Sequence, residues 1–214
     1  MNLKRINIVG VGSLGSYQAF LLTTMSRTLE CEIKVLDFDQ VELHNTANQL
    51  YRSSDVGRPK VEALKEIVDP LTEGTILIEN TKVTRDTDLR DILIIMVDSM
   101  AVRKDIFETF QYDSRISYYI EARTGGNLAM IYAFNPRNQH CIDCYQKTLY
   151  NDNEVVNPIC AIAETVPTLW TVSSAVANIL VLLKNNKISR DQFIEVAIDL
   201  SDLPFMKSST SENG

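Results

Sequence analysis

"NIVGVGSLGSY", residues 7–17, joins a short apolar stretch to a glycine-rich turn and the start of an amphipathic segment. The β-branched residues of "RINIVG" (5–10) predict a strand, and the apolar residues after the turn recur at helical spacing. Gly10, Gly12 and Gly15 therefore form G-x-G-x-x-G between a strand and a helix, the context that this motif requires. Such a turn holds a phosphate against backbone N–H groups at a helix N-terminus. The simpler interpretation is that the glycines only allow a tight turn.

An acidic residue follows at the distance expected of a ribose ligand. Asp37 ends the second predicted strand, about 20 residues after Gly15, where a carboxylate can hydrogen-bond a ribose hydroxyl. The motif and the acid predict a nucleotide site. By themselves they do not separate the pyrophosphate of NAD from the phosphates of ATP.

Strand and helix signals alternate along the rest of the chain. Strands are predicted at 5–10, 32–39, 75–83, 91–98, 116–122, 127–134 and 193–200, and helices at 14–27, 58–68, 102–110 and from Pro167 to about Leu183. This alternation predicts an α/β fold with a doubly wound, mostly parallel sheet, a Rossmann-like nucleotide-binding half and a strand pair near the C-terminal half. We expect one domain over residues 1–205, a long loop over 135–165 and a disordered tail at 206–214.

The composition is that of a globular protein. Of 214 residues, 45% are hydrophobic and 23% are charged, with a net charge of −7 and a pI of about 4.9. No basic run interleaved with aromatics is present, so nucleic acid is not expected as a main partner. The longest apolar run, 172–183, is shorter than the roughly 20 residues of a membrane helix and predicts a buried helix. The first residues lack a signal-peptide pattern, and we expect a cytoplasmic protein.

Two further charged residues favour a triphosphate. In "DVGRPK" (55–60), Lys60 falls early in a predicted helix, where its ammonium can reach phosphates bound nearby. Asp98 follows the most apolar strand, at the ligand-binding edge of a doubly wound sheet, where a carboxylate facing phosphates is a natural Mg²⁺ ligand. Each has a plain alternative: Lys60 as a solvated helix residue and Asp98 as a helix N-cap. An NAD-dependent oxidoreductase, the competing hypothesis, explains the glycines and Asp37 but neither Lys60 nor Asp98.

The order of these motifs resembles one family closely. GVGSLGS, LDFDQVELHN, DVGRPKVEAL, VDSMAVR, EAR and CIDC are similar, from about residue 6 to 184, to the ThiF/MoeB family of adenylyltransferases related to ubiquitin-activating enzymes. The resemblance implies ATP- and Mg²⁺-dependent adenylation of the C-terminal carboxylate of a ubiquitin-like or sulfur-carrier protein. It also implies a homodimer or a heterodimer with a related chain.

The resemblance assigns roles to individual residues. The three glycines would cradle the phosphates, and Asp37 would hold the ribose with Asp39 beside it. Lys60 would contact the phosphates, and Asp98 would bind Mg²⁺ or position the phosphate that is attacked. Where the family has a phosphate-clamping arginine, this chain has Asn48, an uncharged residue that cannot replace that charge.

Two consequences follow from Asn48. Arg52, one turn further on, is a candidate substitute for the missing cation. A non-catalytic or partner-dependent ThiF-like subunit is the alternative function, supported also by a sequence that starts directly on the first strand, without the N-terminal helix of many relatives.

The cysteines carry the remaining expectations. Cys141 and Cys144 form CxxC, half of the two-pair zinc site of relatives; the alternative is a reduced thiol pair. Cys160 falls where the resemblance places a thioester-forming cysteine, and the alternative is a small buried side chain. Cys31 begins a strand remote from the nucleotide edge.

Overall fold

One mixed sheet organises the chain in the computed structural model, which describes residues 4–151 and 165–201. Within those ranges the sheet has seven strands in the spatial order β3-β2-β1-β4-β5-β6-β7. They are β1 (Arg5–Val9), β2 (Glu32–Leu36), β3 (Ile76–Glu79), β4 (Asp91–Ile95), β5 (Ile116–Gly125), β6 (Leu128–Phe134) and β7 (Ile194–Asp199). Strands β1 to β5 are parallel, whereas β6 and β7 pair antiparallel, so the predicted doubly wound sheet with a C-terminal strand pair is confirmed.

The strand order reverses between β1 and β4. The chain runs from β1 outward to β2 and β3, then returns to place β4 on the other side of β1. Just beyond the paired residues, the Met96 N–H donates to the Val9 carbonyl oxygen at 2.8 Å, so the carboxyl ends of β1 and β4 lie side by side. A reversal of this kind opens a crevice at the carboxyl edge of the sheet, where ligands bind in doubly wound folds.

Helices cover both faces of the sheet. They are α1 (Ser13–Leu29), α2 (Lys60–Val68), α3 (Met100–Phe110), α4 (Gln139–Gln146) and α5 (Val166–Lys184). Helices α1, α2 and α5 contribute to one apolar core, and α3 and α4 to the other. Both faces of the central strands are therefore buried, which is why β4 carries an uninterrupted apolar run, Ile92–Ile95.

Helix α5 is the one described helix that is long and apolar enough, by length and composition alone, to cross a membrane. Half of its most apolar window is buried inside the fold. It packs along α1, and the rings of Tyr17 and Trp170 meet edge to face with centroids 5.0 Å apart.

The prediction of one long loop over 135–165 is wrong in its first half. Residues Gln139–Gln146 form α4, whose N-cap Asn138 accepts the Cys141 N–H at 3.3 Å. The helix buries Cys141, Ile142 and Tyr145 against the sheet. Burial of this one face outweighs the polar composition that favoured a loop. The predicted tail, 206–214, lies outside the described residues.

Three predicted strands also end three or more residues earlier than expected: at Leu36 rather than 39, at Glu79 rather than 83 and at Ile95 rather than 98. In each case the extra residues belong to the loops that leave the carboxyl edge of the sheet. The functional residues predicted at these strand ends therefore lie on loops.

Candidate functional site

The glycine-rich loop takes the shape that its residues permit. Gly10 has φ +86°, and a Cβ there would lie 2.9 Å from the Met96 carbonyl oxygen. A Cβ on Gly15 would overlap the Gly10 carbonyl oxygen, so α1 packs directly against the loop that precedes it. Two of the three glycines are thus required by the loop itself, as the simpler interpretation holds.

Gly12 is different, because a Cβ there would meet nothing within 4 Å. It is the N-cap of α1 and has no side-chain cap hydrogen bond, and the first turn carries no acidic residue. The first α-helical bond runs from the Ser16 N–H to the Gly12 carbonyl oxygen at 3.1 Å, so the N–H groups before Ser16 lack intrahelical acceptors. Open space beside an uncapped helix N-terminus suits an anionic ligand.

Asp37 supports the glycine-rich loop from the next strand. Its buried carboxylate accepts the Val11 N–H on one oxygen and the Asp39 N–H on the other, both at 2.8 Å. A carboxylate has about four lone-pair positions, so acceptor capacity remains for a ribose hydroxyl. Asp37 therefore holds the backbone of the glycine-rich loop and of the loop that follows β2.

Lys60 and Asp39 form an ion pair. The Lys60 ammonium lies 2.9 Å from an Asp39 carboxylate oxygen, and the Lys60 N–H donates to the Asp39 carbonyl oxygen at 2.9 Å. The Lys60 side chain is only 10% exposed, whereas that of Asp39 is 50% exposed. Lys60 is therefore held in place, which contradicts the alternative that it is a solvated helix residue.

Asp98 is exposed in the loop between β4 and α3. It is not the helix N-cap: that position is taken by Ser99, whose hydroxyl accepts the Val102 N–H at 3.3 Å. An exposed carboxylate at the carboxyl edge fits a Mg²⁺ ion that shares its other ligands with phosphates and water.

The fold brings these groups to adjacent strand ends. Asp37 and Asp39, with Lys60 attached, follow β2; the glycine-rich loop follows β1; and Asp98 follows β4. Since β2, β1 and β4 are consecutive neighbours in the sheet, the predicted ribose, phosphate and Mg²⁺ positions line one edge in that order.

Asn48, at the position of the missing arginine, and Arg52, its candidate substitute, differ in burial. Asn48 is buried, and its amide donates to the Thr165 hydroxyl oxygen at 3.3 Å, at the start of α5. Arg52 is exposed, and its backbone N–H donates to the Asp55 carboxylate at 2.9 Å. Of these two side chains, only that of Arg52 lies at the protein surface.

The CxxC pair does not fit a zinc site within the part of the chain that the structure describes. Cys141 is buried with its thiol 3.6 Å from the Asp191 carbonyl oxygen, and the Cys144 sulfur lies 3.8 Å from His140 Nε2. No group of three or more histidine, cysteine or acidic side chains converges among the described residues. Burial also raises the pKa of the Cys141 thiol, which disfavours the thiolate that zinc requires.

Cys160, the predicted nucleophile, lies outside the described residues. Cys31 immediately precedes β2, at the opposite end of that strand from Asp37. Burial raises the pKa of its thiol to about 11, partly offset by Lys184. Its position agrees with the expectation that Cys31 is remote from the nucleotide edge.

A buried charge network lies beside this edge, and sequence reasoning missed it. Glu121, fully buried on β5, accepts hydrogen bonds from Arg103, from Arg123 and from the Tyr145 hydroxyl. Arg103 also donates to the Val97 carbonyl oxygen, next to Asp98. The only sequence signal was the presence of Arg103 in "VDSMAVR" and of Glu121 and Arg123 in "EAR".

Arg123 joins the network to the end of α4. It donates to the Thr148 carbonyl oxygen at 2.7 Å, and its guanidinium lies over the Tyr132 ring at 4.7 Å from the centroid. The carboxyl edge of the sheet and the loop that leaves α4 are thus held by one set of contacts.

A protein-family model described as the ThiF family matches residues 1–210. The chain belongs to the ThiF family. The predicted family is therefore confirmed.

Two curated relatives are named as activating enzymes. The NEDD8-activating enzyme E1 catalytic subunit of Arabidopsis thaliana is 26% identical over 179 residues, which are 75% of this chain and 38% of that protein. Ubiquitin-like modifier-activating enzyme 7 of Homo sapiens is 29% identical over 150 residues, 65% of this chain and 14% of that protein. This ThiF-family chain thus spans well under half the length of either relative.

Among solved structures, Escherichia coli MccB crystallised with ATP has the same fold. It superposes with a TM-score of 0.67 at 16% identity, covering 95% of this chain and 65% of MccB. At that identity the likeness establishes the fold.

Proposed function

We propose that this ThiF-family protein uses ATP to adenylate the C-terminal carboxylate of a ubiquitin-like or sulfur-carrier protein. The observation that carries the proposal is the convergence of Asp37, the glycine-rich loop, Lys60 and Asp98 at three neighbouring strand ends. The names of the two curated relatives and the ATP in the MccB crystal support the same activity.

The reaction needs positioning and charge neutralisation more than acid–base groups. An oxygen of the substrate carboxylate forms a bond to the α-phosphorus as the bond from that phosphorus to the bridging oxygen breaks, and pyrophosphate leaves. The N–H groups at the start of α1 and the Lys60 ammonium would hold the phosphates. Asp98 would hold Mg²⁺, which neutralises phosphate charge when bound.

The thioester step remains a further part of the proposal. The Cys160 sulfur would attack the acyl carbonyl of the adenylate, with loss of the thiol proton and departure of AMP. We expect Cys160→Ala to keep adenylation and to abolish a reductant-sensitive conjugate with the carrier protein. Intact-protein mass spectrometry tests this, and a thioester that persists in the variant would refute the assignment.

Binding of ATP with Mg²⁺, compared with NAD, tests the nucleotide. We expect calorimetry to detect ATP and not NAD, and Lys60→Ala to weaken ATP binding, since a hydrogen bond to a charged group contributes about 1.5–3 kcal/mol. Lys187→Ala, which removes an exposed lysine after α5, is the matched control. Tight NAD binding without ATP binding would overturn the proposal.

A non-catalytic or partner-dependent subunit is the second candidate, because Asn48 replaces the family's arginine and faces Thr165. ATP–pyrophosphate exchange with a carrier protein separates the two, since a binding subunit gives no exchange. We also propose that the protein associates with a second copy or with a related chain. We further propose that it acts in the cytoplasm. Sedimentation of the protein alone and with such a chain tests the association.

A further inference from the structure

Both polar backbone groups of Val11, in the middle of the glycine-rich loop, are held by side chains from outside it. The Val11 N–H donates to Asp37 at 2.8 Å, and the Val11 carbonyl oxygen accepts the Tyr51 hydroxyl at 2.6 Å. Tyr51 lies 40 residues along the chain from Val11 and is buried. The Asp37 contact thus orients the Gly10–Val11 peptide, and the Tyr51 contact orients the Val11–Gly12 peptide.

The Tyr51 contact determines where the Gly12 N–H points. The Val11 carbonyl and the Gly12 N–H belong to the same peptide unit, which is planar and trans, so the two groups point in opposite directions. Because Tyr51 draws the carbonyl toward the protein interior, the Gly12 N–H faces away from it. Gly12 is also the loop residue beside which a Cβ would meet nothing within 4 Å.

The Tyr51 phenol is a dependable donor. Its burial, together with the nearby Asp37, Asp39 and Asp55 carboxylates, raises the pKa of this hydroxyl far above its ordinary value of 10.0. The hydroxyl therefore keeps its proton throughout the range in which proteins are normally stable.

We propose that Tyr51 is a positioning residue for the phosphates of the nucleotide: it fixes the Val11–Gly12 peptide so that the Gly12 N–H is presented to the ligand. The inference rests on the proposed ATP site but assigns a role to a residue that no motif includes. It predicts that the hydroxyl matters for the phosphate part of the ligand and not for the nucleoside part.

Tyr51→Phe removes the hydroxyl and keeps the ring. We expect the variant to bind ATP–Mg²⁺ about 2- to 10-fold more weakly, the effect of one hydrogen bond between neutral groups. Its affinity for adenosine, measured by ligand-observed NMR, should be unchanged. Tyr118→Phe is the matched control, since the Tyr118 hydroxyl is buried without a hydrogen-bond partner among the described residues. That variant should bind both ligands as the wild type does.

A second measurement does not depend on the ligand. In ¹⁵N-labelled protein, Tyr51→Phe should shift the Gly12 amide resonance, and Tyr118→Phe should leave it in place. An unchanged Gly12 resonance, or equal losses of ATP and adenosine affinity, would overturn the role of Tyr51. Wild-type protein that binds no ATP would instead overturn the proposed function, so the two failures are distinguishable.

Discussion

The Lys60 ammonium and the Asp39 carboxylate pair at 2.9 Å, with the lysine almost covered and the aspartate half exposed. The lysine that we propose to contact phosphate is thus fixed by an acid from the neighbouring strand end. A covered ammonium needs a partner, because an unpaired charge shielded from water is costly. This dependence can be measured.

Asp39→Asn should lower the free energy of unfolding by about 1–3 kcal/mol, because Lys60 loses the partner of its charge. Urea denaturation measures the change. Asp105→Asn, on the exposed face of α3, is the control and should be near neutral. If the pair is responsible, combining Asp39→Asn with Lys60→Met should recover part of the loss, whereas strictly additive effects would contradict it.

Gly12 and Gly15 should respond in opposite ways to alanine. Gly15→Ala should lower the melting temperature strongly, since its Cβ would overlap the Gly10 carbonyl oxygen. Gly12→Ala should melt close to the wild type, because its Cβ meets open space, but it should weaken ATP binding by filling the approach to the loop. Differential scanning fluorimetry with and without ATP measures both. Undiminished ATP affinity of Gly12→Ala would argue against a ligand beside this residue.

Removing the centre of the buried charge network should be severe. Glu121→Ala leaves Arg103 and Arg123 without their shared carboxylate, and breaking a buried ion pair costs about 3–5 kcal/mol. Glu195→Ala, on the exposed side of β7, is the control and should stay within about 0.5 kcal/mol of the wild type. Chemical denaturation distinguishes the two; comparable small effects would mean that the network contributes little.

Cys31 should not react with alkylating reagents at neutral pH, and its buried thiol should make the free energy of unfolding fall at alkaline pH. Burial raises the pKa of its thiol from 9.0 to about 11, so the unfolded chain loses this proton first. The contribution of the buried thiol is complete below pH 9 and is lost as the pH rises toward about 11. Cys31→Ala should flatten this part of the pH profile of unfolding. Rapid alkylation of Cys31 in the native protein at pH 7 would contradict the prediction.

The sequence predicted most of the fold because its signals are local. The apolar run at 92–95 predicts a central strand, and Gly10, Gly12 and Gly15 predict the turn into α1 without knowledge of the neighbours. Helix α4 was missed because only contact of Cys141, Ile142 and Tyr145 with the sheet shows which face of this polar segment is buried.

For the site, the sequence by itself determined the family, through the order of its motifs. It also determined which residue types follow each strand, because strand, turn and helix patterns are local, although β2 and β4 end earlier than predicted. Only the tertiary structure decided which atoms meet: Asp37 with the Val11 N–H, Lys60 with Asp39, Glu121 with two arginines, and Tyr51 with the Val11 carbonyl. These pairs are 2 to 40 residues apart along the chain, and no short-range pattern links the distant ones. Their contacts exist because the order of strands in the sheet brings separate loops to one edge, and that order is set by packing of the whole core.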